Sequence, residues 1–258
     1  MATTEEGGGL MPDSARPLPG QVAVPRDIGF VDWFFDVGTW TDKGGILDSL
    51  WETVLLCSIV TIVAVIVSVP IAAALAHFGK AEVSTTWLVS ISRAVPTFAI
   101  AALLVPWSLR RGWGFEPWPI FIALLLLALV PIYLNTYTAI SQVPDGTVDA
   151  ARALGHSETS ILTKVEFALG ASVVLSGIRV AAIQVVATEP IRAFLGGDGL
   201  GRYVRDGFGQ NNDTLVIGGM ILIGGLAALT GLIFVLLERI VLPPGVRRLA
   251  RQQGDRTR

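Results

Sequence analysis

The sequence is short of charge. Only 16% of its 258 residues are Asp, Glu, Lys or Arg, against about 25% in an ordinary soluble domain. One cysteine, Cys57, is present, which excludes a disulfide framework. The two histidines, His77 and His156, have no ligand-type spacing to a partner, so no metal set is expected. No Gly-x4-Gly-Lys-Ser/Thr phosphate loop occurs, so ATP binding is not built into this chain. No Ser/His/Asp arrangement can be argued from spacing, and none of the apolar runs carries a catalytic pair. A net charge of −2 gives no basis for a nucleic-acid partner. The N-terminus lacks the basic and apolar regions of a signal peptide.

What is abundant is apolar sequence. Hydrophobic residues make up 52% of the chain, with a mean hydropathy of +0.62, and they fall in blocks. A bilayer core of about 30 Å needs about 20 apolar residues as helix. Residues 53–76, 118–143 and 214–237 are runs of that kind without a charge. Two more, 83–109 and 167–188, are interrupted by Arg93 and Arg179. Barrel strands would alternate apolar and polar residues, and these runs do not. The expectation is an all-α membrane protein, a polytopic bundle of about five transmembrane helices. Trp51, Trp87, Trp107, Trp113 and Trp118 flank the runs, where an indole prefers the headgroup level. Trp33 and Trp40 are expected on an amphipathic approach.

The organisation read from these blocks is a flexible tail over residues 1–30, an amphipathic approach over 31–52, a transmembrane domain over 53–242 and a basic tail over 243–258. From Arg239 onward there are six arginines and one acid, Asp255, while the first 52 residues hold nine acids and three bases. The positive-inside rule then places the N-terminus outside and the C-terminus in the cytoplasm, with the basic tail near anionic lipid.

Residues 141–166 are polar, and 26 residues are too many for a passive helix–helix connection. Thr147 is expected to cap a helix through Asp149, Ala150, Ala151, Arg152 and Leu154. Gly155 follows, free to adopt positive φ, and Ser157 is expected to cap a second short helix. Small residues Ala150, Ala151 and Ala153 would let this knob approach another protein closely. A loop lying on the membrane surface is the plainer alternative.

Asp149-Ala150-Ala151, Gly155 and Val165-x-Phe167 resemble the EAA loop of permease subunits of ABC-type importers. The family pattern has Glu-Ala-Ala, three residues, Gly, nine residues and Ile-x-Leu-Pro. The spacing agrees, with Asp149, Val165, Phe167 and Ala168 as departures. Losing the proline at Ala168 implies a smoother passage into the fourth span. Arg93-Ala-Val-Pro96, Asn135-Thr-Tyr137, Gly177-Ile-Arg179 and the run Gly196-Gly197-Asp198-Gly199-Leu200-Gly201 resemble the osmoprotectant branch, which imports glycine betaine, choline and carnitine. The resemblance implies a methionine-importer-type permease fold working beside a second permease subunit. Asp149, Ala150, Ala151, Arg152 and Gly155 would dock on a cytoplasmic ATPase that holds ATP and Mg. An extracytoplasmic solute-binding protein would deliver the solute, and this chain would carry no cofactor. Importers of amino acids, an ion-driven secondary transporter and a scaffold subunit are the competing functions.

Arg179, about 16–18 Å along its span, is expected near mid-bilayer, where a cation costs at least ~2.5 kcal/mol unless paired or hydrated. A pathway role and a structural pairing are equally open. Arg93, close enough to the membrane surface to snorkel, reads first as structural. Glu189 is expected at the outer end of span four, against solute or a neighbouring loop. Pro96 and Tyr137 are further pathway candidates. Gly197, Gly199 and Gly201 form either a plain turn at a helix end or, by the resemblance, part of an outer gate.

Overall fold

A computed structural model describes residue 22, residues 28–79 and residues 96–241. In a bilayer no water satisfies the backbone, so apolar runs fold as helices, which bond their own N–H and C=O groups. Two short helices, α1 (Phe30–Phe35) and α2 (Val37–Thr41), precede α3 (Ile46–His77), α4 (Thr97–Arg110) and α5 (Trp118–Ser141). The polar segment forms α6 (Asp145–Ala153) and α7 (Glu158–Ile161). A π turn, Leu162–Glu166, then leads without a break into α8 (Phe167–Thr188). The short α9 (Ile191–Phe194) and α10 (Gly201–Gln210) precede α11 (Asp213–Val241).

Four helices, α3, α5, α8 and α11, lie in segments long and apolar enough to cross a membrane. The 14 residues of α4 rise only about 21 Å. The expected second span starts among residues outside those described, and Arg93 and Trp87 lie there too. α8 has the expected bounds. α3 begins at Ile46, earlier than the apolar run suggested, because Ile46 is buried against Trp33, Leu200 and Tyr203. That packing fixes two helical turns that carry Asp48 and Glu52.

α5 lies between α3 and α8. Leu56, Val60 and Ala64 of α3 meet Ala123, Leu124, Ala128 and Ile132 of α5, and Ala181 and Val185 of α8 complete the cluster. Cys57 fills space in the same cluster. Close approach of α5 and α8 depends on glycine: a Cβ at Gly170 would lie 2.9 Å from that of Ala139, and one at Gly177 3.0 Å from the Pro131 carbonyl. Small residues of this kind let membrane helices pack backbone to backbone.

Trp33 is buried over Gly218 of α11 and meets Tyr203 edge-on at 5.8 Å. On the expected amphipathic approach it is the inward, packing residue, while Val31 and Phe35 of the same helix point outward. Of the expected tail, Val22 donates its N–H to Asp206 at 2.9 Å, and the Ile28 carbonyl accepts from Thr214 at 3.0 Å. These contacts hold residues 22 and 28 against α10 and α11. Residues 1–21 and 23–27, and the basic tail, lie outside the described residues. Trp107, Trp113 and Trp118 pack in series, 5.2 and 5.9 Å between centroids, with the Arg111 guanidinium 4.6 Å over Trp107. This is an aromatic belt with a cation–π contact.

Candidate functional sites at the two ends of the bundle

One end carries the polar knob. Its first helix starts at Asp145 with Pro144 at the cap, two residues before Thr147. Thr147 is therefore inside the helix and not its cap. Asp145 in the first turn complements the positive end of the helix dipole. Gly155 has φ +83° and directs the bend after Leu154. Ser157 caps α7, its Oγ accepting from the Ser160 N–H at 3.3 Å. The knob then joins α8 through the π turn, as the absence of proline at Ala168 implied.

Asp149, Ala150, Arg152 and Gly155 are exposed, and Asp149 pairs with Arg152 at 2.9 Å. Ala151 is turned inward and buried within this chain, so it packs the knob rather than offering a contact. Leu154, not singled out from the sequence, is 80% exposed at the bend. Arg152 also donates to Glu158 at 2.7 Å. His77 has Nε2 3.1 Å from Glu158 and Nδ1 2.7 Å from Glu166 Oε2. Thus the last residue of α3 lies between a carboxylate of the knob and a buried carboxylate of the π turn.

The opposite end holds a second polar cluster. Glu189, just past α8, is fully buried, and Arg192 stands one turn further on. Arg192 Nε lies 3.0 Å from Glu116 and 3.1 Å from Glu189, and Nη2 lies 3.3 Å from Glu52. Nε also donates to the Asp198 carbonyl at 3.0 Å. Thr53 donates to Glu189 at 3.2 Å and accepts from the Leu200 N–H at 3.0 Å. Burial pushes the Glu116 carboxyl above the usual range, against the pull of Arg192. One guanidinium thus gathers three carboxyl groups from α3, the α4–α5 turn and the end of α8.

The glycine run folds over this cluster. Gly199, with φ +88°, has Arg192 Nη2 and Thr53 Oγ1 each 2.8 Å from where a Cβ would sit. The Gly197 carbonyl accepts from Arg205 at 3.1 Å. Gly201 opens α10 against the backbone of Pro190. Gly197, Gly199 and Gly201 thus lie in a loop packed directly on the cluster.

The remaining candidates separate. Arg179 Nη1 lies 3.5 Å from Glu238 of α11, with both side chains about one-third exposed in the single chain. An acid on a neighbouring span therefore pairs it. Tyr137 stacks on Tyr133 at 6.2 Å and packs near Ala73, Ala76 and Ile140, a packing environment. Pro96 caps α4 and is exposed. Among the described residues, no group of three or more His, Cys, Asp or Glu is placed to hold a metal ion. His77, Glu158, Glu238 and Arg192 were missed as site residues because each has at least one partner far along the chain. The visible signal was a charge or histidine at the edge of an apolar run.

Comparison with known proteins matches residues 65–247 to the family described as binding-protein-dependent transport system inner membrane component. The choline transport system permease protein OpuBB of Bacillus subtilis is 29% identical over 81% of this chain and 94% of its own length. The carnitine transport permease protein OpuCB of Listeria monocytogenes is 28% identical over 81% of this chain and 94% of its own. The osmoprotectant import permease protein OsmW of Salmonella typhimurium is 27% identical over 80% and 96%. Among solved structures, the inward-facing MetNI methionine ABC transporter is similar, with TM-score 0.66, 19% identity, and coverage of 77% of this chain and 96% of that one. That likeness fixes the fold as an ABC-permease helical bundle. With its polytopic helices and a family match over most of its length, the chain belongs to the inner-membrane components of binding-protein-dependent transport systems.

Proposed function

We propose that the chain is the membrane-spanning permease subunit of an ATP-driven importer for osmoprotectant solutes such as glycine betaine, choline or carnitine. The observation that carries the coupling is the knob. Asp149, Ala150, Arg152, Leu154 and Gly155 stand exposed on a bent helix pair, with a large apolar side chain at the bend. An exposed leucine at a bend between small residues, with charges at its rim, is a shape on which a groove of another protein can close. In this reading it sits in a groove of a cytoplasmic ATPase, which binds ATP and Mg. The names of the relatives support the solute class.

A second permease, identical or related, completes the pathway, and an extracytoplasmic binding protein delivers the solute. The knob end and the C-terminus face the cytoplasm, and the N-terminus faces outward, in line with the six arginines from Arg239 onward. The Glu189–Arg192 cluster with Gly197, Gly199 and Gly201 then forms part of the outer gate. Arg179 serves as a structural pair with Glu238.

The test is reconstitution in liposomes with the ATPase and the solute-binding protein encoded beside it. ATP-dependent uptake of labelled choline, glycine betaine or carnitine is expected. Uptake of methionine alone would reassign the solute. Uptake driven by an ion gradient without the ATPase would overturn the coupling.

A further inference from the structure

We propose that His77 is a positioning residue that pins the knob to the first spanning helix, so that α3 and α8 respond to the knob as one body. The inference rests on the reading of the knob as the ATPase contact. Its basis is an arrangement repeated at both ends of two helices. At the knob end, His77, the last residue of α3, has Nε2 3.1 Å from Glu158 of α7 and Nδ1 2.7 Å from Glu166 of the π turn. At the other end, Thr53 of α3 donates to Glu189 at 3.2 Å, and Glu52 of α3 lies 3.3 Å from Arg192. Between these ends α3 and α8 each pack on α5 more extensively than on each other.

The two members of the pin at the knob have different surroundings. The His77 and Glu166 side chains are nearly fully buried, while that of Glu158 is about half exposed. A buried carboxylate without a donor is costly, so the Nδ1–Glu166 bond alone would be explained by stability. The Nε2–Glu158 bond is not explained that way, because an exposed pair contributes little to stability. What it does is join the moving knob to α3. Glu158 is also gripped by Arg152 at 2.7 Å, which pairs with Asp149 at 2.9 Å. A displacement at Arg152 therefore reaches α3 through its contact with Glu158 and that of Glu158 with His77, and one at Asp149 through a further contact.

Glu158→Ala cuts the pin from the knob and leaves the buried His77–Glu166 pair. His77→Asn cuts it from the other side, because the Asn amide reaches the place of Nδ1 but not that of Nε2, and Arg152–Glu158 stays intact. Both variants are expected to stay in the membrane, to co-purify with the ATPase as wild type does, and to hydrolyse ATP. Solute moved per ATP falls by up to about fivefold in each, the scale of a partly exposed ion pair. The double variant shows no further loss, and Glu158→Gln, whose amide can hydrogen-bond Nε2 in either tautomer, recovers most of the coupling. Wild-type transport per ATP in Glu158→Ala and His77→Asn overturns the proposal. So does loss of co-purification in both, which would make Glu158 part of the docking contact itself. A wild-type complex that binds no ATPase is a different failure: it overturns the functional reading, and this proposal with it.

Discussion

Arg179 and Glu238 lie 59 positions apart, yet Nη1 and Oε2 meet at 3.5 Å between α8 and α11. The pair explains how a cation is tolerated deep in an apolar helix. Arg179→Ala leaves Glu238 without its cation and is expected to reduce the amount of assembled protein in the membrane. Arg179→Ala with Glu238→Ala removes both charges and should recover much of the loss, since an unpaired charge costs more than an absent pair. Quantitative immunoblotting of membranes compares the two. Equal losses would show that Arg179 acts apart from Glu238.

At Gly155, φ is +83° and nothing lies within 4 Å of a built Cβ. Space is not the constraint there; backbone handedness is. A side chain at positive φ costs roughly 1–2 kcal/mol, so Gly155→Leu should straighten or loosen the bend. The expected result is normal membrane content with uptake abolished. Gly155→Asn, which tolerates this conformation better, should retain part of the activity.

Gly199 combines both penalties. Its φ is +88°, and a Cβ would lie 2.8 Å from Arg192 Nη2 and 2.9 Å from Glu189 Oε1. Gly199→Ala should displace the loop from the Arg192 cluster and lower stability by about 2 kcal/mol or more. Thermal unfolding of the purified protein in detergent measures this, and an unchanged midpoint would contradict the packing described.

Two glycines in spanning helices should respond in opposite directions. At Gly177 a Cβ would press on Asn135 and the Pro131 carbonyl, whereas at Gly225 nothing lies within 4 Å in this chain. Gly177→Ala should destabilise by about 1–3 kcal/mol through overpacking of α5 and α8. Gly225→Ala should be neutral or raise stability by up to about 1 kcal/mol through helix propensity. A loss at Gly225 would instead point to a close neighbour from a second subunit.

What the sequence made legible follows from the range of the forces involved. The bounds of α8, the Ser157 cap and the positive φ of Gly155 depend on nearby residues, so a local reading finds them. The start of α3 was misplaced because Ile46 is held by Trp33, Leu200 and Tyr203, and two of these lie over 150 residues away. Thr147 looked like a cap because a hydroxyl suits one, but the helix began earlier at Pro144–Asp145. Ala151 read as an exposed docking residue, and only the fold decides which face of a short helix turns inward. His77 and Arg192 were opaque for the same reason: each is defined by carboxylates from other elements. The family pattern supplied the knob's location, and the geometry supplied its connections.

The π turn at Leu162–Glu166 sets a phase between two parts that otherwise form one rod. Each residue of helix turns the following side chains by about 100°, and a π turn inserts one such step. The azimuth of the knob is therefore set independently of the face that α8 presents to α5. A single residue gained or lost there would re-aim the knob around the helix axis and carry Glu158 away from His77, while the contacts of α8 with α5 stayed in register. One residue at this turn therefore decides both where the knob faces and whether it stays tied to α3.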